Sequence, residues 1–198
     1  MTHFEIISHC PNAASLDALL DLCFGPGRLA RTAERLREGN VAVAEYHFCA
    51  QDSDGSLMGS INFWPVCIGD APALLLGPLA VHPAHQGLGL GEQLMQKGLG
   101  AVDKARFPFV LLVGDLPYYE RAGFQIAPRA VRLPGPVDPS RLLVKGMVSD
   151  SPKADSPKAD SPKADSPKAD SPKADSPKDC ATDCANLVGS VRPAPELC

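Results

Sequence analysis

The sequence predicts an α/β (α+β) domain, a mixed, mostly antiparallel sheet with a central parallel strand pair and flanking helices. Three observations lead there. Between Val41 and Val81 the apolar residues alternate with period two and are broken by turn signals at Asp54-Gly55 and Gly69-Asp70, the pattern of antiparallel hairpins. Leu74–Leu99 then runs from an apolar strand through closely spaced glycines into an amphipathic helix. A second wholly apolar segment, Phe109–Gly114, follows that helix, and a strand–helix–strand crossover of this length makes the two apolar strands parallel.

In chain order, Phe4–Ser8 is short and β-prone. Ser15 precedes LDALLDLCF as a cap, with Leu16, Leu19, Leu20 and Cys23 on one helical face, and Gly25-Pro-Gly stops that helix. RTAERLREG predicts a second helix with Ala33 and Leu36 inward, a charged outer face and Gly39 as its stop. VAVAEYHFCA reads as one strand from Val41 to Ala50, which puts Glu45 and His47 on the same face. Leu57–Val66 returns. Ala73–Val81, apolar on both faces, belongs at the centre of the sheet, and Gly77-Pro78 inside it marks a bulge, because proline cannot donate to a ladder. The helix after the glycines should reach about Ala105. PYYERA is a short helix ended by Gly123, and Phe124–Ala127, Val131–Leu133 and Leu142–Met147 read as edge strands.

Bulky apolar residues almost vanish between Val148 and Leu187, so residues 1–148 are expected to fold and 149–198 to form a disordered tail. SPKAD repeats five times from Ser151 to Asp175, with proline in every unit and Lys cancelling Asp. A net charge of −4 argues against sequence-independent nucleic-acid binding, which needs a basic stripe. The N-terminus shows no leader pattern, and no apolar run of about 18 residues suggests a membrane span, so a cytoplasmic protein is expected. Seven cysteines, odd in number and mostly inside apolar segments, fit reduced thiols and no metal site.

Gly87, Gly89 and Gly91, between a strand and a helix, suit a phosphate-bearing ligand, since backbone N–H groups and the helix dipole both favour an anion. A P-loop requires Gly-Lys-Ser/Thr, but Gly91 is followed by Glu92 and Gln93. The dinucleotide fingerprint fails on spacing, because Glu92 or Leu94 stands where its third glycine should be. What remains is Gln-x-x-Gly-x-Gly, Gln86 to Gly91. With YYERAGF one helix and one strand later, the chain resembles the GNAT superfamily of acyl-CoA N-acyltransferases over roughly Phe4–Met147.

That resemblance implies acetyl-CoA as co-substrate. The bulged strand would offer backbone groups of Leu79, Ala80 and Val81 to the pantetheine arm, and the amides of Gln86, Gly87, Leu88, Gly89, Leu90 and Gly91 would cradle the pyrophosphate. The parallel strands would splay to leave a slot for the thioester, and Tyr119 would face the CoA sulfur. Aminolysis also needs a proton acceptor, for which Glu45, His47 and Asp115 are candidates, Asp115 serving equally as a helix cap. His82 and His85 lie close to the phosphate turn. The expected partner is a small-molecule or protein amine, with a homodimer open and no nucleic acid or membrane. A non-catalytic CoA-binding module is the alternative function.

Overall fold

The computed structural model describes residues 4–8, 12–147 and 183–197, so the expectation of disorder over the SPKAD repeat lies outside the described residues. Its strands are β1 (Phe4–Ser8), β2 (Phe48–Asp52), β3 (Leu57–Ile68), β4 (Ala71–Val81), β5 (Phe109–Val113), β6 (Gln125–Ile126), β7 (Val131–Arg132), β8 (Leu142–Gly146) and β9 (Gly189–Pro193). The helices are α1 (Ala13–Phe24), α2 (Leu90–Ala101) and the single turn α3 (Leu116–Tyr119). Sheet order is β1-β2-β3-β4-β5-β8-β6, with β9 paired to β3 and β7. The first four strands are antiparallel, and β4 and β5 are parallel, as the crossover rule requires.

Period-two alternation in the central strands supplies a separate core to each face of the sheet. Leu74, Leu76, Val110 and Leu112 pack with Ile61, Phe63, Leu94 and Met95 under α2. Ala73, Leu75, Phe109 and Leu111 pack on the other face with Leu36, Val66, Ile68 and Val144. Each fully buried Leu, Val or Phe is worth about 1.5–3 kcal/mol relative to exposure. Gly98 lets α2 approach the sheet, since a Cβ there would stand 2.6 Å from the Phe63 ring.

Several elements differ from the sequence expectation. Residues 41–50 do not form one strand. Val43 and Tyr46, three apart, are both buried, so the chain makes a 3-10 turn over Ala44–Tyr46 and enters β2 only at Phe48. The Val43 N–H donates to Phe63 O at 2.9 Å, and the Tyr46 ring packs edge-on against Phe63 and Phe107. The second helix is a 3-10 segment, Thr32–Leu36. Asn12, not Ser15, caps α1, its Oδ1 accepting from the N–H groups of Ala14 and Ser15. α2 stops at Ala101, because Asp103 Oδ1 draws the Ala105 and Arg106 N–H groups into an Asx turn. β8 is interior to the sheet, between β5 and β6.

The largest difference is at the C-terminus. Residues 183–197, assigned to the tail by composition, are folded: Cys184, Leu187, Val191 and Ala194 are buried, the first three in the core of the second sheet face. β9 pairs antiparallel with Val66–Ile68 of β3 and parallel with β7. Among the described residues no helix is long and apolar enough to cross a membrane.

Candidate active site

The site begins where β4 leaves β5. Their ladder runs only from Ala73/Phe109 to Leu75/Leu111, so the β5-facing edge of β4 is unpaired from Leu76 to Val81. On its other side β4 pairs with β3, and the register slips between Ile61/Leu79 and Phe63/Leu76: three steps along β4 match two along β3. The extra residue is the bulge expected at Gly77-Pro78. Trp64 Nε1 donates to Gly77 O at 2.8 Å and fixes that carbonyl. The result is an apolar slot with Leu76 and Leu79 on one wall and Leu112 and Val113 on the other.

Beyond Val81 the chain makes a 3-10 turn, Pro83–His85, capped by His82, whose Nδ1 accepts from the Ala84 N–H at 3.2 Å. The glycine turn follows. Gly87 and Gly89 have φ of +74° and +80°, a conformation that disfavours any side chain. The N–H groups of Gly87, Gly89, Leu90 and Gly91 donate to no acceptor among the described residues. They stand at the N-terminus of twelve-residue α2, where the helix dipole favours an anion. A cavity of about 450 Å³ opens here, lined by Leu79, Val81, the turn, Tyr118, Tyr119 and Arg121. Arg121 and Glu92 bring opposite charges to its rim.

Not every backbone group assigned to the cofactor is free. Val81 O accepts from Gln86 Nε2 at 2.9 Å and from Cys23 Sγ at 3.3 Å. Gln86 therefore ties the turn to the strand with its side chain. Ala80 is buried against Leu19 and Leu20 of α1, and the Leu88 side chain points to solvent.

Tyr119 sits at the mouth of the slot. Its ring packs edge-on against Tyr118 and Phe124, at 4.9 and 5.9 Å between centroids. Gly114 makes room for it, since a Cβ at that position would overlap the ring. Burial, then Tyr118 and Asp115, push the phenol up to about 12, against an opposing effect of Arg141. The hydroxyl stays protonated at neutral pH, and no described residue takes its hydrogen bond.

A second cavity, about 620 Å³, lies on the other side of Tyr119, walled by the 3-10 segments of residues 26–36, the bulge, and the loop 136–141. Thr32 Oγ1 donates to Pro136 O at 2.5 Å and Arg35 Nη1 to Pro134 O at 3.3 Å, which fastens that loop in place. Glu34 and Arg37, expected on a solvated face, turn inward as an ion pair. A 3-10 turn places residues i and i+3 on one line, which is what aims both at the cavity.

The proposed bases fare unequally. Asp115 is 76% exposed, paired with Arg141 at 3.2 Å, and its carboxylate does not cap α3. Glu45 is exposed on its 3-10 turn and, like His47, lines neither cavity. The strand parity that grouped them does not exist. Arg121, Arg31 and the Glu34–Arg37 pair also line the cavities, although charge inside an amphipathic pattern reads as surface.

A parallel pair opened by a bulge, with a glycine turn at one end and a tyrosine at the mouth, is the arrangement that the resemblance to acyl-CoA N-acyltransferases implies. The chain belongs to the GNAT family of N-acetyltransferases. Residues 38–126 match the model of the acetyltransferase (GNAT) domain. The chain is 31% identical over 118 residues to the uncharacterized N-acetyltransferase YhbS of Escherichia coli strain K12, covering 59% of this chain and 70% of that protein. The crystal structure of Escherichia coli YhbS in complex with CoA superposes with a TM-score of 0.66 and 24% identity, over 98% of this chain and 91% of that one. A GNAT family acetyltransferase from Brucella melitensis in complex with acetyl-CoA gives 0.55 and 28%, over 77% and 93%.

Proposed function

We propose that this protein moves an acetyl group from acetyl-CoA directly to a primary amine. One observation carries the reading: Leu79 and Tyr119 line both cavities. A thioester anchored by its phosphates at the glycine turn would pass between them and present its carbonyl to the larger cavity. The amine lone pair attacks that carbonyl carbon, the C–S bond breaks, and the Tyr119 O–H hydrogen-bonds the sulfur as negative charge develops on it. The amine proton passes to solvent, which reaches the cavity past the exposed Asp138 carboxylate, and the CoA sulfur leaves as the thiolate.

Thiol release from acetyl-CoA with a panel of amines tests the reading. Amine-dependent release is the expected result. Acetyl-CoA binding without turnover of any amine would favour a CoA-binding module instead.

A further inference from the structure

The larger cavity is lined by six charged side chains, and their partners are unequal. Arg28 is taken by Asp17 and Asp21 at 3.1 and 2.7 Å, and Arg141 by Asp115. Glu34 is held by Arg37, and Asp138 by the Ser140 N–H and Oγ at 2.9 and 2.7 Å. Two donors are left over. Among the described residues Arg31 reaches only the Phe24 ring, at 5.3 Å, and the Phe24 carbonyl at 3.5 Å. Arg37 Nε is buried with no hydrogen-bond partner among the described residues. Its guanidinium also lies against the bulge, where a Cβ on Gly77 would stand 3.2 Å from Nη2. A buried donor without a partner is costly, and a planar guanidinium pairs bidentately with a carboxylate or a phosphate; with Arg37 already half-neutralised by Glu34, the single charge of a carboxylate is the better match.

From this we infer that the acceptor is a small amino carboxylate, its carboxylate held by Arg31 and Arg37 and its amine turned toward the slot between Leu79 and Tyr119. This rests on the acetyltransferase reading above. The apolar remainder of the lining, Ala33, Leu75, Pro78 and Val137, suits a hydrocarbon side chain. Polyamines, which carry no anion, would leave both guanidinium groups without a carboxylate and are expected to be poorer acceptors.

The test compares the standard amino acids with their carboxamides and with phosphoethanolamine, using the full-length protein and thiol release, with acetyl-CoA binding measured separately by calorimetry. The expected result is kcat/KM at least tenfold higher for the preferred acid than for its amide. Arg31→Gln, at an exposed position, should raise KM for the acid at least tenfold, with kcat unchanged and the amide unaffected. Arg37→Gln should do the same, and its Tm shows whether folding survives loss of the Glu34 partner. Equal use of acid and amide, preference for phosphoethanolamine, or no turnover of any acid while acetyl-CoA binds would overturn the inference alone. Failure to bind acetyl-CoA would overturn the acetyltransferase reading with it.

Discussion

Replacing Tyr119 with Phe removes one hydroxyl and leaves the ring packing on Tyr118 and Phe124 in place. The lost interaction is a hydrogen bond to a developing thiolate. Hydrogen bonds to charged groups contribute about 1.5–3 kcal/mol, which at 1.36 kcal/mol per decade is about 10- to 150-fold in kcat. The KM for acetyl-CoA should hardly change, because the bond strengthens only as charge reaches the sulfur. Steady-state thiol release with a saturating amine measures both constants. The phenol, pushed up to about 12 by burial, should cause no loss of rate by its own ionisation below about pH 10. Its folded value lies above the unfolded one, so its contribution to stability is fully present below about pH 10 and is lost as the pH rises toward 12. An unchanged kcat in Tyr119→Phe would remove this hydroxyl from the mechanism.

Gly89→Glu should abolish acetyl-CoA binding in calorimetry, by a strained backbone at φ +80° and a negative charge in the anion cradle; normal binding would show that the cofactor lies elsewhere. Trp64→Phe removes the bond to Gly77 O and should cost about 1 kcal/mol in denaturant titration while raising KM for acetyl-CoA. Leu187→Ala, at a buried C-terminal position, should destabilise the full chain by about 2–5 kcal/mol, read from its urea midpoint, whereas a free tail would leave that midpoint where it was.

The central strands, the glycine turn and the parallel crossover were legible because each has a strong local signature: unbroken apolar runs, residues that tolerate positive φ, and a helix of the right length between strands. Tyr119 was legible through its neighbours in YYERAGF. Local pattern failed where long-range packing decides. Val43 and Tyr46 leave the strand because the Tyr46 ring is drawn toward Phe63 and Phe107, partners remote in sequence. Glu34 and Arg37 face inward because the segment tightened to a 3-10 turn, a change of period that nothing in RTAERLREG announces. The C-terminal strand carries too few apolar residues to stand out beside the repeat. Its partners, Val66–Ile68 and Val131–Arg132, lie far back along the chain.

That strand also bears on how the two halves of the sheet are held together. β1 to β4 form one half and β5, β8 and β6 the other, and their direct seam is the three register pairs between β4 and β5. By pairing with β3 and placing Val191 in one core with Phe109 of β5 and Val144 of β8, β9 acts as a rivet at the closed end of a pair of tongs. The opening between β4 and β5 is therefore braced partly by residues that contact neither cavity.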